Sequence, residues 1–213
     1  MTRLASTFLI FILFTISLNA QFGIKLGANF ANWHIKSSVA PTQLETKMDF
    51  GPMAGIFYNF SFDEFSSLRV SSLYSVKGAK QDPLFSQESF DFSYAELDFE
   101  YHYKVYMTER FSTSILAGPY FAYALIGVVK FDGNSEDIEL TKENGFNRLD
   151  YGMNLGVNLN YNHFELQVIY GLGVGNLFAD QGGLDEFRIT NRNFTIALGY
   201  LFGSSNYKSE EGN

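Results

Sequence analysis

The feature that most constrains this chain is an alternation of bulky apolar residues with small or polar ones. In "FGIKLGANF" (22–30), Phe22, Ile24, Leu26, Ala28 and Phe30 fall on one side of a two-residue period, and Gly23, Lys25, Gly27 and Asn29 on the other. Successive side chains of a strand point to opposite faces, so this period predicts a β-strand with one apolar and one polar face. The pattern returns over 48–60, 67–79, 92–106, 111–126, 149–161 and 164–175, and in a last run from Phe194 to Phe202. Eight such strands predict an all-β chain built as an antiparallel up-and-down barrel.

The links between these strands alternate in length. "SFDEFS", "MTER" and "NH" are tight, whereas the links around 34–47, 80–91, 127–148 and 176–190 are long and polar. A meander gathers the short links at one end and the long ones at the other. An even strand number with short turns at one end and long loops at the other is the pattern of transmembrane barrels.

The N-terminus agrees with export. "MTRLASTFLIFILFTISLNA" carries Arg3, an apolar run from Phe8 to Leu18 and a small-residue exit at Asn19-Ala20, which predicts a signal peptide cleaved after Ala20. The expected division is therefore 1–20 signal peptide, 21–202 barrel and 203–213 polar tail. The chain has no cysteine, which excludes disulfides and thiolate metal sites. A net charge of −8 argues against nucleic-acid binding. Past the signal, no apolar run approaches the ~20 residues of a membrane helix, so any span must be a closed barrel.

Volume decides which face points inward. An eight-stranded barrel has an interior just wide enough for side chains to fill. The Phe, Tyr, Leu, Ile and Val of the apolar face are too bulky for that space, while the Gly, Ser, Asn and scattered charges of the other face fit. The aromatic face is expected outside, against lipid. The rings also gather near the strand ends. Tyr58, Phe60, Tyr103, Phe111, Tyr161, Phe164, Tyr200 and Phe202 fall at the short-turn end. Phe30, Phe50, Tyr74, Tyr94, Tyr123, Tyr151 and Phe194 fall toward the long loops. Two aromatic girdles are what a lipid-facing wall needs.

Segments along the chain carry a family likeness. "GIKLGANF", "LYSVKGAK", "FSYAELDFEYHYK", "AGPYFAYAL", "YGMNLGVNLNY", "YGLGVGNL" and the closing "ALGYLF", taken in order over 21–202, resemble the small bacterial outer-membrane β-barrel domain family that includes PorT. Where that family commonly has Tyr-Leu-Glu-Ile-Pro in its fourth strand, this chain reads "YAELD", with Asp98 in place of the proline. The resemblance implies an outer-membrane location, contact with outer-membrane lipid and lipopolysaccharide, and insertion by the barrel-assembly machinery. It further implies work alongside other envelope or secretion proteins.

The densest polar constellation is Glu96, Asp98, Glu100, His102 and Lys104, which a spacing of two places on the luminal face of one strand. Lys25, Arg69 and Lys77 offer opposite charge, and Asp150 and Glu165 add acids. Buried charges must be paired, so these ten residues read as an ion network plugging a narrow lumen, with Lys77 or Arg69 as the partner of Glu96. A carboxylate–histidine relay is the catalytic alternative, but no Ser-His-acid trio is visible. His34, His102 and His163 lack metal-ligand spacing, and no cofactor is expected. The acidic run Asp132, Asn134, Glu136 and Glu143 has Asp137 where a calcium loop needs Gly, so it reads as a solvated loop. The glycines of "YGLGVGNL" fall mid-strand, where they save luminal space rather than cradle phosphate.

The reading is a non-enzymatic outer-membrane barrel with a plugged lumen that anchors surface loops or supports envelope assembly or adhesion. Its alternatives are a PorT-like secretion component, a lipid-modifying enzyme and a soluble periplasmic ligand-binding barrel.

Overall fold

A computed structural model describes residues 20–37, 46–80, 88–131, 134–178 and 187–202. Residues 1–19 of the expected signal peptide, the tail 203–213, and parts of all four long links, Asp132 among them, lie outside the described residues. Nine strands are formed: β1 (Ala20–Ser37), β2 (Lys47–Ser61), β3 (Ser66–Lys80), β4 (Glu88–Met107), β5 (Phe111–Phe131), β6 (Asn134–Ile138), β7 (Leu149–Tyr161), β8 (Phe164–Gly173) and β9 (Phe187–Phe202).

Eight of them close a ring in the order β4-β3-β2-β1-β9-β8-β7-β5, with β4 pairing β5 to complete it. All pairings are antiparallel. Closure leaves no edge, the condition for carrying a β-sheet through lipid. The faces are those of a membrane barrel. Leu26 and Leu198 are 64% and 65% exposed on the outside, while Lys25 and Asp150, at 1% and 0%, are sealed within. A soluble barrel has the opposite distribution.

The strands outrun the alternating segments. β1 continues to Ser37 and β9 starts at Phe187, with Ile35 opposite Ile189 and Lys36 opposite Arg188. There the apolar residues, Trp33, Ile35 and Ile189, move to the inner face and the outer face turns polar, so the alternation changes sides although the hydrogen-bond ladder runs on. The link 127–148, expected as a solvated loop, is corrected in the same sense. β5 continues beyond its last partner on β7 (Tyr123 with Leu149), which leaves its upper edge open. β6 returns to pair residues 127–131 and covers it. Two bulges between β4 and β5 alter the alternation. Ser93 pairs Ile126 but Tyr94 pairs Ala124, which turns Leu125 and Ile126 both outward. The second places Val105 and Tyr106 side by side on the outside.

The short-turn girdle is a chain of touching rings: Phe164–Tyr200, Tyr200–Phe202, Phe202–Phe22, Phe22–Tyr58 and Tyr58–Phe60 have centroids 5.1–6.3 Å apart. Tyr103, Phe111 and Tyr161 lie at the same end. Toward the long links, Phe30, Phe50, Tyr74, Tyr123, Tyr151 and Phe194 face outward. Tyr94 does not belong with them. It is 2% exposed and points into the lumen. The reason is parity: Tyr94 shares the even-numbered face of β4 with Glu96, so the period that buries one buries the other.

The lumen is not polar throughout, a third correction. At its long-link end Trp33, Phe92, Tyr94, Tyr120, Leu140, Leu177 and Ile189 form an apolar cluster, with Phe90, Phe146 and Phe178 packed against it. Leu140 and Leu177 come from the links themselves, which fold inward as a plug. Asn147 holds it, its side-chain amide donating to the carbonyls of Asn176 (2.9 Å) and Phe178 (3.1 Å). Arg148 Nε donates to the Leu140 carbonyl at 2.6 Å.

Candidate functional site

The polar lumen below this plug is organised in layers. Nearest the short turns, Arg69 on β3 meets Glu165 on β8 through two parallel bonds, Nη1 to Oε1 and Nη2 to Oε2, each 2.7 Å. Its Nε donates to Asn59 Oδ1 at 2.7 Å, and the guanidinium lies 4.1 Å from the Phe57 ring centre. A planar guanidinium satisfied on its edge and stacked on its face is what makes Arg rather than Lys suited to burial. Two glycines make the room. A Cβ at Gly23 would stand 2.2 Å from Phe57 Cζ, and one at Gly199 2.5 Å from Glu165 Cγ. Beside this pair His102 Nε2 lies 3.4 Å from Glu100 Oε2.

In the middle layer Lys25 Nζ donates to Gln167 Oε1 at 3.3 Å and stands 3.9 Å from Asp98. Asn29 donates to Ser75 Oγ (2.9 Å) and accepts from Thr195 Oγ1 (2.7 Å), tying β1, β3 and β9 together across the interior.

The upper layer joins the plug. Lys77 Nζ reaches Glu96 Oε2 at 2.7 Å and sits over the Tyr120 ring at 4.3 Å. Asp150 accepts from Asn191 Nδ2 at 2.8 Å and from the Tyr120 hydroxyl at 3.3 Å. Asn191 also donates to the Tyr94 hydroxyl at 3.4 Å.

Of the ten residues singled out from the sequence, Lys25, Arg69, Lys77, Glu96, Asp98, Glu100, His102, Asp150 and Glu165 are buried in the lumen. Lys104 sits apart from them, half-exposed in an opening of about 510 Å³ at the short-turn mouth whose inner wall is Arg69 and His102. Glu96 pairs with Lys77; Arg69 is committed to Glu165. Sequence reasoning placed Tyr94 in the girdle and passed over Tyr120, Asn191, Asn59, Gln167 and Phe57. All six lie on the inward parity of their strands, the signal that could have found them.

Chemically the arrangement compensates charge. Five carboxylates (Glu96, Asp98, Glu100, Asp150 and Glu165) face the cations Lys25, Arg69 and Lys77, with His102 beside Glu100, and neutral amide and hydroxyl donors share the excess negative charge. Among the described residues, the side-chain hydrogen-bond partner of His102 is Glu100, and no hydroxyl is held against its ring. Outside the membrane span, Asp63 in the β2–β3 turn accepts from the Phe65 and Ser66 amides, each at 2.7 Å. Those backbone bonds hold its carboxyl below the usual aspartate pKa.

Residues 14–179 match the family model described as outer membrane protein beta-barrel domain. Among solved structures, the chain is similar to the outer membrane protein OprG from Pseudomonas aeruginosa, at 15% identity and a TM-score of 0.48 over 87% of this chain and 97% of that one. It is similar to Ail, the attachment invasion locus protein of Yersinia pestis, at 15% identity and a TM-score of 0.40 over 87% and 100%. The outer membrane protease OmpT from Escherichia coli aligns at 11% identity and a TM-score of 0.43 over 87% and 97%. No curated protein sequence matches the chain.

Proposed function

This chain belongs to the outer membrane protein β-barrel domain family, and we propose that it serves there as a non-enzymatic, non-conducting scaffold. It anchors surface-exposed hairpins and loops for envelope assembly or adhesion. The observation that carries this reading is the filled lumen. Arg69 and Glu165 bridge it near one end, and the Trp33–Leu140–Leu177 cluster stops the other. With the interior occupied, the parts offered to partners are those beyond the wall, foremost the β5–β6 hairpin with exposed Glu136, Asp137 and Glu139.

On this reading the chain is exported by a signal peptide cleaved after Ala20, inserted by the barrel-assembly machinery, and surrounded by outer-membrane lipid and lipopolysaccharide. A PorT-like place beside a protein-secretion system is the second form of the same scaffold role. It is supported by the ordered segment likeness from "GIKLGANF" to "ALGYLF".

The test is permeation and location together. The mature chain is expected in the outer-membrane fraction, with unboiled and boiled forms migrating differently on a denaturing gel. Vesicles loaded with it should swell in sugar solutions no faster than empty ones. Recovery as a soluble periplasmic protein, or protein-dependent swelling, would overturn the proposal.

A further inference from the structure

One strip of the outer wall has a charge opposite to that of the chain. Above the Phe30 and Phe194 rings, the outward positions of β1 and β9 are Asn32, His34 and Lys36 on one strand and Arg192 and Arg188 on the other. The register sets Asn32 opposite Arg192 and Lys36 opposite Arg188. His34 lies between Asn32 and Lys36 along β1, and it lines the same groove as Arg192. In a protein of net charge −8, the described lengths of β1 and β9 contain no carboxylate.

A groove of about 540 Å³ runs through this strip, lined by Phe30, His34, Met48, Tyr170, Arg192 and Phe194 among others. Its composition is graded. Tyr170 and Phe30 both stand opposite Phe194 in the ladder and form an aromatic floor on the membrane side. Arg192, half-buried, rises from the next outward position of β9. Arg188 donates to the Val174 carbonyl, and Lys80 and Lys130 at the same rim are held by Asp49 and Asp91. The Arg192 guanidinium has no hydrogen bond or ion pair among the described residues. A half-buried fork of donors that no described residue bonds, set directly above an aromatic belt, has the shape and charge of a seat for an anionic amphiphile.

We propose that this strip seats the phosphate of an outer-leaflet lipid headgroup. Arg192 takes the phosphate as a two-pronged donor, with Lys36 and His34 beside it. The acyl chains descend over Phe30, Phe194 and Tyr170. The inference rests on the reading that the girdles mark lipid and that the long-link end faces outward. It goes beyond that reading in naming the headgroup chemistry and the residues. Such a seat would fix the rotation and depth of the barrel in the leaflet, because a guanidinium bonded to phosphate cannot slide along the wall.

The experiment uses the full mature chain refolded in detergent micelles, with bound lipid measured by native mass spectrometry. Phosphatidic acid, phosphatidylcholine and inorganic phosphate are the probes. Phosphatidic acid should be retained about tenfold more strongly than phosphatidylcholine, the scale of a charge-assisted bidentate bond. Arg192→Gln combined with Lys36→Gln should erase the preference. Lys130→Gln, which removes a rim cation already bonded to Asp91 at 2.6 Å, should leave it intact. Equal retention of phosphatidic acid by the double variant and the wild type overturns the proposal. So does inorganic phosphate that displaces phosphatidic acid at equal concentration, which would make the strip a site for free anions. Each variant is checked for the heat-dependent gel shift. A wild type without that shift overturns the membrane-spanning reading itself, an outcome separate from a folded barrel that shows no preference.

Discussion

Arg69 and Glu165 join strands four places apart in a ring of eight, so their paired 2.7 Å bonds cross the diameter of the barrel. No local rule couples two residues 96 positions apart. Closure brings them together. Removing one partner leaves the other charged and dry. Arg69→Gln should therefore cost on the order of 3–5 kcal/mol, read as a lower urea midpoint in detergent. Replacing both residues with Met and Leu should cost far less, since apolar side chains of similar volume often substitute for a buried pair. A single variant as stable as the wild type would show that water reaches the pair.

The Lys77–Glu96 bond at 2.7 Å sits on neighbouring strands beneath the plug. Glu96→Gln strands the ammonium over the Tyr120 ring and should destabilise by a similar ~3–5 kcal/mol if the layer is dry. The additional change Lys77→Met should restore much of the loss. Unchanged urea stability of Glu96→Gln would mean a hydrated upper layer.

Trp33 is the chain's one tryptophan and lies 5.2 Å from Phe90 and 6.0 Å from Phe178, ring to ring. Its emission should be blue-shifted and poorly quenched by acrylamide. Leu140→Ala removes a buried wedge of the plug and should raise quenching severalfold while the heat-dependent gel shift persists. Quenching of the wild type as strong as that of free tryptophan would show an open mouth.

Single cysteines from Glu165 to Tyr170 can carry spin labels without background, since the chain has no cysteine of its own. Labels at 166, 168 and 170 should collide with dissolved oxygen in lipid, and those at 165, 167 and 169 should be immobile and shielded. The reason is that β8 sends alternate residues to opposite faces. A shielded label at 168 would turn the barrel inside out.

Asp63 gives a pH-dependent readout in the β2–β3 turn. Its pKa is lowered by the Phe65 and Ser66 amides it accepts from. A depressed carboxyl stabilises the fold above its unfolded pKa, and that contribution is lost as pH falls through the folded value. The Phe65 and Ser66 amide shifts should titrate with a midpoint below about 3.9, and Asp63→Asn should abolish the titration. A midpoint at or above that value would mean the turn is not capped.

The two-residue period by itself determined that the chain is β, that it has eight wall strands, which face is bulky, and where the short turns lie. These properties are local, because a strand's alternation and a hairpin's length are written in adjacent residues. The same period held Tyr94 and Tyr120 on the inward parity. Aromatic character drew Tyr94 to the girdle instead, and parity proved the stronger guide. What the tertiary structure decided is the pairing across the lumen: Arg69 with Glu165 rather than Glu96, Lys77 with Glu96, and Asp150 between Asn191 and Tyr120. It also decided that Leu140 and Leu177 fold back as a plug from links that read as polar. Those outcomes depend on how far apart two strands stand once the ring is closed, and on which apolar side chains can reach the mouth it leaves. Neither distance exists until the last strand has paired with the first.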